Sequence, residues 1–89
     1  MRTSTDQNDP AERISQLLAQ RIRTAREAEQ ISRQDLAARI NALGVKVTVH
    51  AVSQWENAIA TPRWAMSVAI AQSIGVAWST IFNLDGVTL

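Results

Sequence analysis

The chain has 89 residues, one histidine and no cysteine, and nine basic against eight acidic residues leave a net charge of about +1. This length forms one domain with a single small core. Without cysteine there is neither a disulfide framework nor a thiolate metal site, and one histidine is too few for an ordinary zinc site. We therefore expect no metal and no cofactor.

No apolar run approaches the roughly 18 residues that span a membrane, and no signal-peptide pattern opens the chain. We expect a cytoplasmic protein with no membrane partner. Hydrophobic residues make up 46% of the chain and only three residues are glycine. This composition favours helices over sheets.

The first two helices are predicted by their caps. Residues 1–8 are polar and aperiodic, so we expect a flexible tail there. Asp9-Pro10 then starts a helix that runs to about residue 29. Ser32 caps the second helix with Asp35 in the capping-box position, and Gly44 is placed to end it in a left-handed conformation.

Three further helices follow. Thr48 caps the third, which covers residues 48–57, and Thr61-Pro62 repeats the cap-plus-proline pattern for a fourth over about 62–74. A fifth occupies about 77–83. The domain is therefore a compact, all-α, five-helix unit spanning residues 9–84, with an extension at 85–89. The residues expected in its core recur at helical spacing: Leu36, Ala37, Ile40, Leu43, Val52, Trp55, Trp64, Val68, Ala71 and Ile74.

The third helix carries few core residues, and its remaining positions are small or polar. A short helix with hydrogen-bonding groups on its outer face suits insertion into the major groove of double-stranded DNA. Gln54 is the best base-reading candidate, because a glutamine amide can pair with two adenine atoms. His50 can donate to guanine or to a phosphate, or it is simply an exposed histidine. The other candidates are Val49, Ala51 and Ser53.

Over about residues 14–84 the chain resembles the Cro/repressor-type (XRE-like) helix-turn-helix family. The residues that carry the resemblance are Arg21-Ile22-Arg23, Arg26, Ile31-Ser32, Asp35-Leu36-Ala37, Val52-Ser53-Gln54-Trp55-Glu56-Asn57, Thr61-Pro62, Ala71 and Ile74-Gly75-Val76. The resemblance implies that the second and third helices form the DNA-reading unit of a homodimer. It also implies a partly buried structural ion pair between Arg26 and Glu56.

The chain departs from this family at two places. Between Ala37 and Thr48 it has about five more residues than the tight turn of a helix-turn-helix allows, so an extended turn is expected there. Ala58 stands where the family usually has glycine, and the loop 58–60 lacks basic residues. A left-handed alanine costs about 1 kcal/mol.

Arg33 begins the second helix, where the family often binds a phosphate and where free backbone amides also favour one. The alternative is a solvated surface arginine. Further phosphate candidates are Thr48, whose simpler role is a cap, Lys46, Asn57 and Arg63. Candidate dimer contacts are Ile59, Trp78, Ile81 and Phe82, of which the last three can instead close the core.

The sequence thus predicts a sequence-specific transcription regulator, expected to be a repressor, that binds double-stranded DNA as a dimer. The alternative is an antitoxin-type interaction module that holds a partner protein and autoregulates. An enzyme is not expected, nor a small-molecule substrate. His50, Ser53 and Glu56 lie at different angles on one short helix, and the sequence offers no oxyanion hole or phosphate-binding glycine loop.

Overall fold

A computed structural model describes residues 9–87, which form five α-helices and no strand. The all-α prediction is therefore confirmed. The tail predicted at residues 1–8 and the end of the extension, 88–89, lie outside the described residues. None of the described helices is long and apolar enough to cross a membrane. The helices are α1 (Pro10–Ala28), α2 (Arg33–Ala42), α3 (Val49–Glu56), α4 (Trp64–Ile74) and α5 (Trp78–Phe82).

Side-chain caps start the first three helices at the predicted positions. Asp9 Oδ1 accepts from the Ala11 N–H at 3.0 Å, and Thr48 Oγ1 accepts from the Ala51 N–H at 3.1 Å. Ser32 and Asp35 form a reciprocal capping box, with N···O distances of 3.0 and 3.3 Å. Each cap satisfies backbone donors that have no partner inside the helix.

The predicted start of the fourth helix is wrong. α4 begins at Trp64, after the extended residue Arg63, and no side chain caps it. The Thr61 hydroxyl lies 3.2 Å from that of Ser15 on α1 and forms a hydrogen bond there. Thr61 and Pro62 therefore belong to the connection between α3 and α4, which Thr61 joins to α1.

One hydrophobic core receives side chains from all five helices. The connection that follows α1 adds Ile31. Trp55 lies in this core with 7% of its surface exposed, as predicted. The fully buried side chains are Ile22, Leu36, Ile40, Val52, Ile70 and Ile81.

Three predicted core residues are exposed instead. Leu43 is 46% exposed because α2 ends before it, at Ala42. Trp64 and Val68 are 68% and 37% exposed. They lie four residues apart on the outer face of α4, whereas Ala71 and Ile74 are buried, as predicted.

The connection between α2 and α3 is the predicted extended turn, residues 43–48. Gly44 begins it with φ of 91°, the left-handed conformation expected of a glycine after a helix. Asn41 holds the turn closed: its Nδ2 donates to the carbonyls of Ala37 and Val47 at 2.7 and 2.8 Å, and its Oδ1 accepts from the Val47 N–H at 3.3 Å. The longer turn is therefore anchored at the end that leads into α3.

α3 ends at a non-glycine residue in the left-handed conformation. Ala58 has φ of 60°, and the next N–H, of Ile59, donates to the Gln54 carbonyl at 2.9 Å. This is the hydrogen bond of a Schellman motif, in which glycine is the usual residue. α1 ends in the same way at Gln30, with φ of 58°. The sequence gives no glycine signal at either end.

Ala58→Gly is expected to stabilise the fold by about 0.5–1 kcal/mol, because glycine adopts this conformation without strain. Chemical denaturation measures the change. The matched control is Ala38→Gly, at an exposed position inside α2, which should destabilise the fold by about the same amount. A loss of stability in Ala58→Gly would contradict the strain at this helix end.

Candidate nucleic-acid interface

The last residue of α3, Glu56, is a fully buried carboxylate with arginine partners from α1 and α2. Arg26 Nε lies 2.6 Å from Oε2 and Nη2 lies 3.0 Å from Oε1. Arg33 Nε donates to Oε1 at 3.1 Å, and Arg23 Nε is 3.7 Å from the same oxygen. The structure thus contains the Arg26–Glu56 pair that the family resemblance implied, within a larger cluster.

The electrostatics of this cluster favour the ionised carboxylate of Glu56 and the protonated guanidinium of Arg26. Burial acts to raise the pKa of Glu56, but hydrogen bonds and charges of Arg26 and Arg33 outweigh it and hold the pKa below the ordinary 4.5. The hydrogen bond to Glu56 raises the pKa of Arg26, against the effect of burial. Arg26 also donates to the Ile31 carbonyl at 2.8 Å. One guanidinium therefore ties α1 to α3 and to the connection before α2.

Arg33 crosses from the start of α2 to α3. Besides its bond to Glu56, its Nη1 donates to the Ser53 hydroxyl at 3.3 Å. The Ser53 hydroxyl, a predicted base-reading group, thus accepts a hydrogen bond within the protein. The Arg33 side chain remains 35% exposed.

Arg23 is a member of this site that the sequence analysis named in the family resemblance but gave no role. Its Nη2 donates to the Glu56 carbonyl at 2.9 Å and to Asn57 Oδ1 at 3.5 Å. Its Nε is buried without a hydrogen-bond partner among the described residues. The available signal is its spacing: Arg23 and Arg26 are three residues apart on α1 and so face the same side.

The outer face of α3 presents two side chains that form no hydrogen bond within the described residues. His50 is exposed and Gln54 is half-buried, and they lie one helical turn apart. Val49 precedes them with 38% of its surface exposed. Ala51 instead packs against the core, so its methyl group is turned away from this face.

The remaining phosphate candidates lie around the ends of the helices. Lys46 is exposed in the extended turn and lines one shallow concavity with Thr48, Ala51 and Met66. Arg63 is exposed immediately before α4. Neither side chain has an ion pair within residues 9–87. Thr48 acts as the α3 cap, its simpler predicted role.

An exposed group of aromatic rings joins α4 and α5. Trp64 and Trp78 are in edge-to-face contact with ring centroids 5.1 Å apart, and Trp78 stacks on Phe82 at 5.8 Å. The Trp78 indole N–H donates to the Ser67 hydroxyl at 2.9 Å, which fixes the orientation of its ring. We call Trp64, Trp78 and Phe82 the aromatic patch.

The four predicted dimer contacts divide between surface and core. Ile81 follows the alternative that the sequence left open and closes the core, where its side chain is fully buried. Ile59 is 70% exposed, Trp78 is 37% exposed and Phe82 is half-buried. The sequence analysis assigned Trp64 to the core and so did not include it among these contacts, although it is 68% exposed.

Comparisons of the chain with family models, curated proteins and solved structures find no match. Within residues 9–87, no group of three histidine, cysteine or acidic side chains lies close enough to hold a metal ion. Function is therefore inferred from the geometry of α3 and its arginine neighbours, and from the aromatic patch.

Glu56→Gln should lower stability by about 3 kcal/mol near neutral pH, because it leaves buried arginine donors without a charged partner. The pKa of Glu56 is lowered on folding, so its contribution is present above the unfolded pKa and is lost as pH falls through the folded pKa. The difference between wild type and variant should therefore shrink below about pH 4. Urea unfolding between about pH 7 and pH 3 measures it.

The control for this experiment is Glu29→Gln, at an exposed carboxylate. It should leave the pH profile of stability unchanged. A Glu56→Gln variant whose stability difference from wild type is the same at both ends of the pH range would contradict the stabilising role of the charge on Glu56.

Proposed function

We propose that this protein is a sequence-specific, double-stranded DNA-binding transcription regulator of the repressor-like helix-turn-helix type, with α3 as its reading helix. The observation that carries the proposal is the outer face of α3. There His50 and Gln54 present hydrogen-bonding groups that are not used within the described residues. Such groups distinguish base pairs by their donors and acceptors in the major groove.

The dimensions and attachment of α3 support this role. It has eight residues and is about 12 Å long. A major groove about 12 Å wide admits an α-helix, whose diameter with side chains is about 10–12 Å. Its first turn is capped by Thr48, and its last residue is held by α1 and α2 through Glu56. A reading helix held at both ends presents its side chains in one geometry, which lowers the entropic cost of binding.

Basic residues that reach the surface lie at or just before the starts of α2, α3 and α4, although the chain is nearly neutral. Lys46 and Arg63 are exposed, and Arg33 keeps part of its guanidinium at the surface. Phosphate contacts supply much of the affinity of DNA-binding proteins and fix their orientation on the duplex. Repression is the expected mode of action, because occupying a DNA site excludes other proteins without any further contact.

We propose a second copy of the chain as the partner that covers the aromatic patch. From Trp64 to Leu84 the sequence has no charged residue, whereas the rest of the chain contains them throughout. Interface cores are rich in aromatic residues and poor in charge. A patch without charge can meet its own copy across a two-fold axis without like-charge repulsion, and two-fold dimers bind pseudo-palindromic sites.

The aromatic patch also favours a second candidate function, an antitoxin-type module that holds a different protein. Trp64 is 68% exposed, and an exposed patch of large apolar side chains is typical of a protein interaction site. The two candidates differ in one observable. The regulator forms homodimers when purified alone, whereas the interaction module stays monomeric until its partner protein is added.

Selection of bound sequences from a random DNA pool at a fixed, near-physiological salt concentration tests the main proposal. Wild-type protein should enrich a two-fold motif with half-sites about one helical turn apart. Gln54→Ala should relax the preference at one base pair in each half-site, equivalent to about 1–3 kcal/mol, with stability unchanged. The control Gln72→Ala, on the exposed side of α4, should return the wild-type motif. Failure of the wild type to enrich any motif would overturn the proposal.

Trp64→Gln should weaken the dimer without unfolding the protein, because the indole is mostly exposed in the single chain. Loss of a central aromatic contact costs about 2 kcal/mol or more, so the dimer dissociation constant should rise on the order of 30-fold. Sedimentation equilibrium measures the constant, and thermal unfolding checks the fold. Equal dissociation constants for variant and wild type would exclude the patch as the dimer interface.

A further inference from the structure

Two arginines from different helices rest on the same edge of α3. Arg33 of α2 donates to the Ser53 hydroxyl, and Arg23 of α1 donates to Asn57 Oδ1. Ser53 and Asn57 are four residues apart, so these anchors follow one another along the helix with a separation of about 6 Å. Both arginines also bind Glu56, through its carboxylate or its carbonyl.

Each of these guanidiniums has donors to spare. A guanidinium carries five N–H groups. Arg33 uses Nε and one N–H of Nη1, while Arg23 uses Nη2, so Nη2 of Arg33 and Nη1 of Arg23 have no partner among the described residues. The side chains are 35% and 42% exposed. A fixed guanidinium with a spare nitrogen can donate charge-assisted hydrogen bonds to an anion such as phosphate.

The cluster also carries an excess of positive charge. Glu56 supplies one negative charge against the positive charges of Arg23, Arg26 and Arg33. Glu27, exposed to solvent and 3.9 Å from Arg26, supplies a second, which leaves one positive charge uncompensated. Arg26 is thus the buried and fully engaged member, and the excess charge is carried by the two arginines at the surface.

We propose that Arg23 and Arg33 form a phosphate clamp that binds two phosphates of one DNA strand beside the groove that α3 enters. The inference rests on the proposed DNA-binding function and adds Arg23 to it. Phosphates of one strand recur about every 3.4 Å along the duplex axis. Guanidiniums held at Ser53 and Asn57, one α-helical turn apart, can therefore contact two of these phosphates. Ser53 and Asn57 are positioning residues that hold the guanidiniums, and Glu56 orients both.

The salt dependence of DNA binding tests the clamp. Arg23→Gln and Arg33→Gln should each reduce the slope of log K against log salt by about one unit. Each should weaken binding by the same factor on the selected site and on unrelated DNA, because phosphates carry no base identity. Arg23→Lys and Arg33→Lys keep the charge but lose the planar guanidinium that bonds α3, so they should keep the slope and lose affinity.

Two controls separate the clamp from bulk charge and from folding. Arg39→Gln removes an arginine that donates to the Ser73 carbonyl and so joins α2 to α4, and it should leave the slope unchanged. Ser53→Ala should weaken binding without changing the slope, whereas Ser53→Thr, which keeps the hydroxyl, should restore it. Urea unfolding establishes that each variant is folded at the temperature of the assay.

The outcomes distinguish failure of the clamp from failure of the DNA-binding function on which it rests. Wild-type protein that binds no preferred sequence overturns the proposed function. Sequence-specific binding with unchanged slopes in Arg23→Gln and Arg33→Gln overturns the clamp and leaves the function standing. A slope reduced as much by Arg39→Gln shows bulk attraction and also overturns the clamp. Equal binding by Ser53→Ala and Ser53→Thr removes Ser53 from its positioning role.

Discussion

The position of α3 depends on one buried carboxylate. A charge taken out of water is strongly unfavourable unless opposite charges and hydrogen bonds replace the lost hydration. For Glu56 these come from Arg26 on α1 and Arg33 at the start of α2. A shift of α3 relative to either helix would break these bonds and leave the carboxylate unsatisfied. The ion cluster therefore couples the orientation of three helices, in addition to the apolar contacts of Val52 and Trp55.

The same cluster joins folding to the proposed DNA contact. Arg26 satisfies the carboxylate with two hydrogen bonds and is 10% exposed, so its role is internal. Arg23 and Arg33 each use only part of a guanidinium in the fold, and both reach the surface. A phosphate bound there would meet donors whose geometry is already set by the protein. Little side-chain entropy would then be lost on binding, which is the benefit of preorganisation.

Local signals in the sequence predict what local interactions determine. The caps at Asp9, Ser32 and Thr48 are correct because each bonds a backbone N–H within three residues. The start of α4 is wrong because the Thr61 hydroxyl bonds Ser15, 46 residues away in the sequence. Trp64, predicted in the core, is the first residue of α4 and lies at the surface. Spacing along α1 places Arg23 on the same side as Arg26, but the atoms that Arg23 and Arg33 contact on α3 are set by tertiary structure.

The chain separates its charges from its exposed aromatic rings. Arginines of α1 and α2 surround the end of α3, whereas α4 and α5 contain no charged residue. In the proposed dimer these two regions have different tasks. α3 and its arginines bind one half-site, and the aromatic patch sets the distance and angle between two copies of α3. The centres of the two half-sites must be separated by that distance, which is about one helical repeat of DNA, or about 34 Å. The spacing of the operator is then determined by the orientation of Trp64, Trp78 and Phe82 relative to α3, and the core that holds α4 against α2 and α5 against α1 is part of what selects the DNA site.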